Sequence, residues 1–167
     1  MVDEAKEEQR SQAAETVSWL LTNCASLCLA TLDDDGLPEA STAPFLYQDG
    51  RFYILVSELS PHTRNLFYHP QVSVLILEPE TSAHNPFARR RLSLRCLAEK
   101  VTAEDDALSE RLDAFQARHG DTVAVLRELP DFHLIELQVV SGRLIKGFGQ
   151  AWHLDEWLTP QQHIQPN

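Results

Sequence analysis

Short apolar runs of strand length, punctuated by acidic-glycine turns, constrain this chain more than any other feature. Ser26–Leu32 is followed by Asp33-Asp34-Asp35-Gly36, residues 38–47 return, Gln48-Asp49-Gly50 turns again, and residues 51–56 form a third run. Aspartate carboxylates bond nearby amides and glycine accepts positive φ, so this punctuation predicts an antiparallel meander. Ser26–Leu32 is apolar with few charges and is expected to be buried on both faces. Gln71–Leu77 is a further near-continuous apolar strand. Residues 91–101 alternate most cleanly, with Leu92, Leu94, Cys96 and Ala98 on one face and Arg91, Ser93, Arg95 and Glu99 on the other. Two late strands are expected at residues 132–140 and 143–148.

Helical patterns interrupt these strands. Residues 2–23 carry a short apolar stripe of Ala14, Val17 and Leu20–Leu21. Ser60-Pro61 is a helix start, with Ser60 as cap and Pro61 in the first turn, and Pro70 ends that helix. Further helices are expected over residues 103–118 and 121–129. The irregular mixture predicts a mainly β, α+β fold, an antiparallel barrel with helices at its ends, rather than a doubly wound parallel sheet. The division expected is an N-terminal helix (1–23), a barrel domain (24–152) and a C-terminal tail (153–167).

A formal charge of −11 argues against a general nucleic-acid binder. No apolar run approaches the roughly 20 residues that span a bilayer, and the acidic, mixed-charge start is unlike a signal or transit peptide. Three cysteines without a Cys-x-x-Cys pair make neither a disulfide framework nor a zinc site. Cys24, Cys28 and Cys96 are expected to be buried small hydrophobes. The expectation is a cytoplasmic protein with no nucleic-acid or membrane partner.

Against that acidic background, Arg89-Arg90-Arg91 and Arg95 crowd four guanidinium groups into seven positions. Arg91 and Arg95 share a strand face, so two planar donor forks point one way, as suits a phosphate or a pair of carboxylates. The alternative is a solvated edge whose charges prevent aggregation. A second cluster, Ser57, Ser60, His62, Thr63 and Arg64, surrounds a strand end and a helix start, where either an anion or simple capping is served. The seven histidines include no zinc-type pair. His163 lies in the tail, and His153 beside Trp152 competes with it as a possible ligand. No nucleophile–histidine–acid set follows from spacing alone.

In order along residues 24–152, these segments resemble the FMN-binding split-barrel superfamily of pyridoxamine 5′-phosphate oxidase-like proteins. The resemblance is strongest to its HugZ/HutZ-type haem-utilisation branch. Ser57-Glu58-Leu59 with His62-Thr63-Arg64-Asn65-Leu66, Ala88-Arg89-Arg90-Arg91-Leu92, and Gly147-Phe148-Gly149-Gln150-Ala151 carry it. The resemblance implies a six-stranded Greek-key split barrel, homodimeric, with ligand sites at the subunit seam. It implies His163 as haem-iron ligand, Asp131 as its supporting acid and Arg91 as a catalytic arginine. Arg89, Arg90 or Arg95 would pair with the propionates. Flavin-binding members hold FMN with a basic residue on the second strand and another after the phosphate loop. Here the second strand reads Glu39-Ala40-Ser41-Thr42-Ala43-Pro44, without a basic residue, while Arg64 remains. The function implied is oxidative haem degradation with iron release, fed by an external electron donor. The alternatives are an FMN- or F420-dependent oxidoreductase of the same fold and a non-enzymatic haem carrier or storage protein.

Overall fold

The computed structural model describes residues 2–164; residues 165–167 of the expected tail lie outside them. Among the described residues four α-helices and nine strands follow one another. They are α1 (Val2–Asn23), β1 (Ser26–Leu32), β2 (Pro38–Pro44), β3 (Leu46–Gln48), β4 (Arg51–Ser57), α2 (Pro61–Tyr68), β5 (Gln71–Leu77), β6 (Arg91–Lys100), α3 (Leu108–His119), α4 (Thr122–Leu126), β7 (Phe132–Gly147), β8 (Gln150–Leu154) and β9 (Pro160–Ile164). All strand pairings are antiparallel, in the order β2-β1-β5-β6-β7-β4-β3, with β8 on β7 and β9 on β8. The acidic-glycine turns fall where expected: Asp33 Oδ1 accepts from the amides of Asp35 and Leu37, and Gly36 and Gly50 have positive φ.

The spine is β7. Along one edge it pairs with β6; along the other, its first half pairs with β4 and its second half with β8. The two late strands expected from sequence are thus a single strand. Gly142 is no break in it: a Cβ there would sit 2.6 Å from Leu94 Cδ2, so the missing side chain admits close packing.

The sheet curls around a core built from Leu27, Leu29, Phe52, Ile54, Val74, Ile76, Leu92, Leu94, Leu137 and Val139. Helix α1 closes it with Ala13, Val17 and Leu20; Ala14, expected on that stripe, is exposed. Burying Val17 and Leu20 contributes about 1.5–3 kcal/mol each. A smaller cluster of Leu46, Tyr53, Phe115, Val123 and Leu134 lies under α3 and α4.

Several expectations are corrected. The sheet has nine strands rather than six, because β3, β8 and β9 add to it. In β1 burial alternates, with Leu27, Leu29 and Thr31 inside and Cys28 exposed, so the strand is covered on one face only. Helix α3 starts at Leu108 rather than near residue 103. Asp105 diverts the chain first, accepting from the Ala107 amide at 2.9 Å and pairing with Arg111 at 2.7 Å. Residues 150–164 hold a paired hairpin where a tail was expected. Its turn is set by Asp155, whose Oδ1 accepts from the amides of Trp157 and Thr159, while Leu158 is buried.

Candidate functional site

The expected site residues divide between the two ends of β7. At its start, β4 and α2 converge on Asp131. Ser57 Oγ donates to Asp131 Oδ2 at 2.8 Å, and the Glu58 amide donates to the Asp131 carbonyl at 2.8 Å. Thr63 Oγ1 donates to the Ser57 carbonyl at 2.5 Å. Ser60 makes no side-chain cap on α2; Ser57 Oγ instead accepts from the Leu59 amide, so the turn is tightened one step earlier. His62 is buried with Nδ1 3.0 Å from Ser41 Oγ. Burial holds its imidazole below the ordinary pKa, with the Glu39 carboxylate opposing.

This end was expected to serve either an anion or simple capping, and its chemistry does not fit a phosphate. A cavity of about 370 Å³ is lined by Asp33, Asp34, Asp35, Glu39 and Glu58, facing Arg64 and Asn65. Arg64 is ion-paired with Asp34, and Asn65 Nδ2 donates to Glu39 Oε2 at 2.8 Å and to Thr31 Oγ1 at 3.0 Å. Five carboxylates against one engaged guanidinium repel a phosphate dianion. The residues present therefore do not suit FMN.

The arginine run is largely occupied by the protein itself. Arg90 Nη2 donates to Glu78 Oε1 at 2.6 Å, its amide donates to Oε2 at 3.0 Å, and its guanidinium lies 3.8 Å from the centroid of a Trp19 ring. Arg89 donates twice to the Glu78 carbonyl and pairs with Glu80 at 3.1 Å. Glu78 is buried, and hydrogen bonding from Arg90 keeps its carboxyl below the usual range against the opposing effect of burial. Arg91 Nη1 donates to the Arg89 carbonyl at 2.9 Å, and Arg95 is exposed. The shared face of Arg91 and Arg95 is as expected, but Glu78 and Glu80 escaped the sequence reading. Nothing local marks Glu78 as the partner of a residue beyond an intervening loop. Cys24 and Cys96 are buried as expected, and burial pushes the Cys96 thiol up to about 12, so it is no nucleophile.

At the far end of β7, Leu144 faces Trp152 on β8, and Trp152 faces His163 on β9. The rings of Trp152 and His163 meet edge-on at 5.3 Å. His163 opens onto a groove of about 830 Å³ between the hairpin and α1, where Trp152, Lys6, Arg10 and Lys146 also lie. Neither His163 ring nitrogen has a hydrogen-bond partner among the described residues. His153, the competing candidate, projects to the exposed opposite face. The groove's size, its indole wall and an unengaged imidazole suit a flat porphyrin. Within one protomer His163 meets neither partner expected for it. The length of β7 separates it from Asp131, and Arg91, opposite Ile145, projects from the other face of the sheet.

The pyridoxamine 5′-phosphate oxidase family matches residues 13–146. The chain belongs to that family. Within this oxidase-like family it is 37% identical over 129 residues to haem oxygenase HutZ of Vibrio cholerae serotype O1, covering 77% of this chain and 73% of HutZ. A crystal structure of Vibrio cholerae HutZ, there called a haem storage protein, superposes with a TM-score of 0.70 at 33% identity, covering 74% of this chain and 87% of that one. Campylobacter jejuni ChuZ superposes with a TM-score of 0.83 at 28% identity over 93% of this chain, which spans 63% of the ChuZ chain. A haem-binding protein from Mycobacterium smegmatis gives 0.72 at 27% identity over 86% of this chain and 58% of its own. The family's split barrel is the curled antiparallel sheet described above. Among the described residues no helix is long and apolar enough to cross a membrane.

Proposed function

We propose that this protein binds haem through His163 and degrades it oxidatively, releasing iron. The observation that carries the reading is His163 facing a porphyrin-sized groove beside Trp152, in a chain 37% identical to a haem oxygenase. Bound haem is the substrate and also supplies the redox-active iron at which dioxygen is activated; electrons come from an external reductant. The protein's part is to hold and orient. The His163 imidazole would ligate the iron, Trp152 would wall the groove, and a carboxylate accepting the other ring N–H would fix the tautomer and raise ligand basicity. Asp131 would be that carboxylate and Arg91 the guanidinium that orients the oxidant, and a second copy of the chain would supply them, since a single chain holds them apart from His163. Homodimerisation is thus part of the reading.

Titration with haemin tests it. The wild type gives a stoichiometric Soret shift, His163→Ala changes or abolishes it, and His153→Ala leaves it as in the wild type. A wild type that leaves the haemin spectrum unaltered refutes the proposal. A storage role has its own support, since the HutZ crystal structure carries that description. Ascorbate and oxygen separate the two: degradation replaces the Soret band by biliverdin-like absorbance, whereas a storage protein keeps its haem unchanged.

A further inference from the structure

We infer that Lys6 and Arg10 of α1, with Lys146 at the end of β7, form the wall that receives the two carboxylates of a bound porphyrin. The inference rests on the haem reading above and assigns the polar end of the same groove. Lys6, Arg10 and Lys146 line the cavity that holds Trp152 and His163, with Glu7 as the one carboxylate among the described residues that line it. In a chain of net charge −11, three cations facing one carboxylate make a local positive site, and a porphyrin dicarboxylate supplies matching charge.

The cations have donors to spare. Lys146 Nζ gives one hydrogen bond, to Gln12 Oε1 at 2.9 Å, and its other two N–H groups are unassigned among the described residues. Arg10 uses Nε on the Pro160 carbonyl at 2.8 Å, which ties α1 to the hairpin and leaves its terminal nitrogens unengaged among the described residues. Lys6 is exposed and has no partner among the described residues. The contrast with the arginine run is chemical: Arg89 and Arg90 are spent on Glu78 and Glu80, and Arg91 projects from the opposite face of the sheet. Within the chain that holds His163, carboxylate recognition at this groove therefore falls to the N-terminal helix and the β7 end.

Haemin and haemin dimethyl ester, which lacks the two carboxylate charges, distinguish this wall from general packing. Both are titrated into the wild type, Lys6→Ala, Lys146→Gln and the double variant. Lys6 is exposed and Lys146 half-buried, so these changes spare the core, whereas Arg10 is left alone because it anchors the hairpin. Each single variant weakens haemin about threefold and the pair about tenfold, as for partly exposed charge pairs acting independently, while affinity for the diester stays at the wild-type value. Equal losses for both probes, or no loss for haemin, overturn the wall. If His163→Ala still alters the Soret band in that case, the haem reading stands without it. Failure of the wild type to bind haemin overturns both.

Discussion

Arg90→Ala separates a structural arginine from a ligand-binding one. In the folded protein Glu78 is 5% exposed at its side chain and Arg90 30%, and their 2.6 Å contact is backed by the Arg90 amide and the face of Trp19. Removing one partner of a buried ion pair costs about 3–5 kcal/mol, because the remaining charge has lost its water and its counterion. Here the Arg90 amide still donates to Glu78, which places the loss near the lower end, about 3 kcal/mol, with the lost Trp19 contact worth about 0.5–1 kcal/mol of it. For a domain of this size that lowers the melting temperature by about 6–12 °C and the urea midpoint by about 1–2 M. The pH dependence follows in sign. Glu78 has a folded pKa below its ordinary 4.5, so its ion pair stabilises above that value, and the contribution is lost as pH falls through the folded pKa. The gap between wild type and variant is therefore full at pH 7 and narrows below about 4.5. Urea unfolding across that range, with a haemin titration alongside, is the assay. An unchanged midpoint with lost haemin affinity refutes the structural assignment of Arg90.

Two other perturbations examine the ends of the fold. Wild-type protein leaves FMN fluorescence unquenched, whereas a Glu39→Arg, Asp34→Asn variant frees Arg64, removes two carboxylates and gains saturable FMN quenching; a variant that still ignores FMN refutes the electrostatic account of the phosphate loop. Gly50→Ala places a Cβ 2.5 Å from Trp157 Cζ3 at a φ of +75°, so it costs about 1–3 kcal/mol and shifts tryptophan emission as the ring moves; unchanged emission and stability would show that this loop does not dock on the β3–β4 turn.

What the amino-acid order reveals here depends on the range of the interaction. The turns at Asp33–Gly36 and Asp49–Gly50 are legible because carboxylate, amide and glycine act within four residues. Strand β6 is legible because its alternation repeats one local rule. Cys28 misleads, since an apolar run does not say whether one face or both are covered. The hairpin of β8 and β9 is invisible because its register exists only against the far half of β7, although Asp155 marks its turn. The guanidinium cluster is conspicuous, but its main partner Glu78 reaches it only after the chain has looped out and returned to β6. The groove is harder still: Lys6 and Arg10 look like ordinary charges of a solvated helix until the hairpin folds against them.

The proposed homodimer has an electrostatic logic that one protomer already displays. The two ends of β7 carry opposite local charge: carboxylates line the cavity at the Asp131 end, and Lys6, Arg10 and Lys146 line the groove at the His163 end. Two copies of so acidic a chain repel at long range; in the dimer proposed above, a twofold arrangement would bring the acidic end of each near the basic end of the other, twice, so that the cations assigned to the porphyrin carboxylates would also offset part of that repulsion. That arrangement would carry Asp131 toward the imidazole of a second copy, an approach that the length of β7 forbids inside a single chain. It also gives the altered phosphate loop a use. With Glu39 and Asp34 occupying Asn65 and Arg64, that end would present anionic charge to a second copy instead of cationic charge to a flavin. Raising ionic strength then weakens the dimer in proportion to the charges it pairs, and an association constant indifferent to salt would leave this complementarity without support.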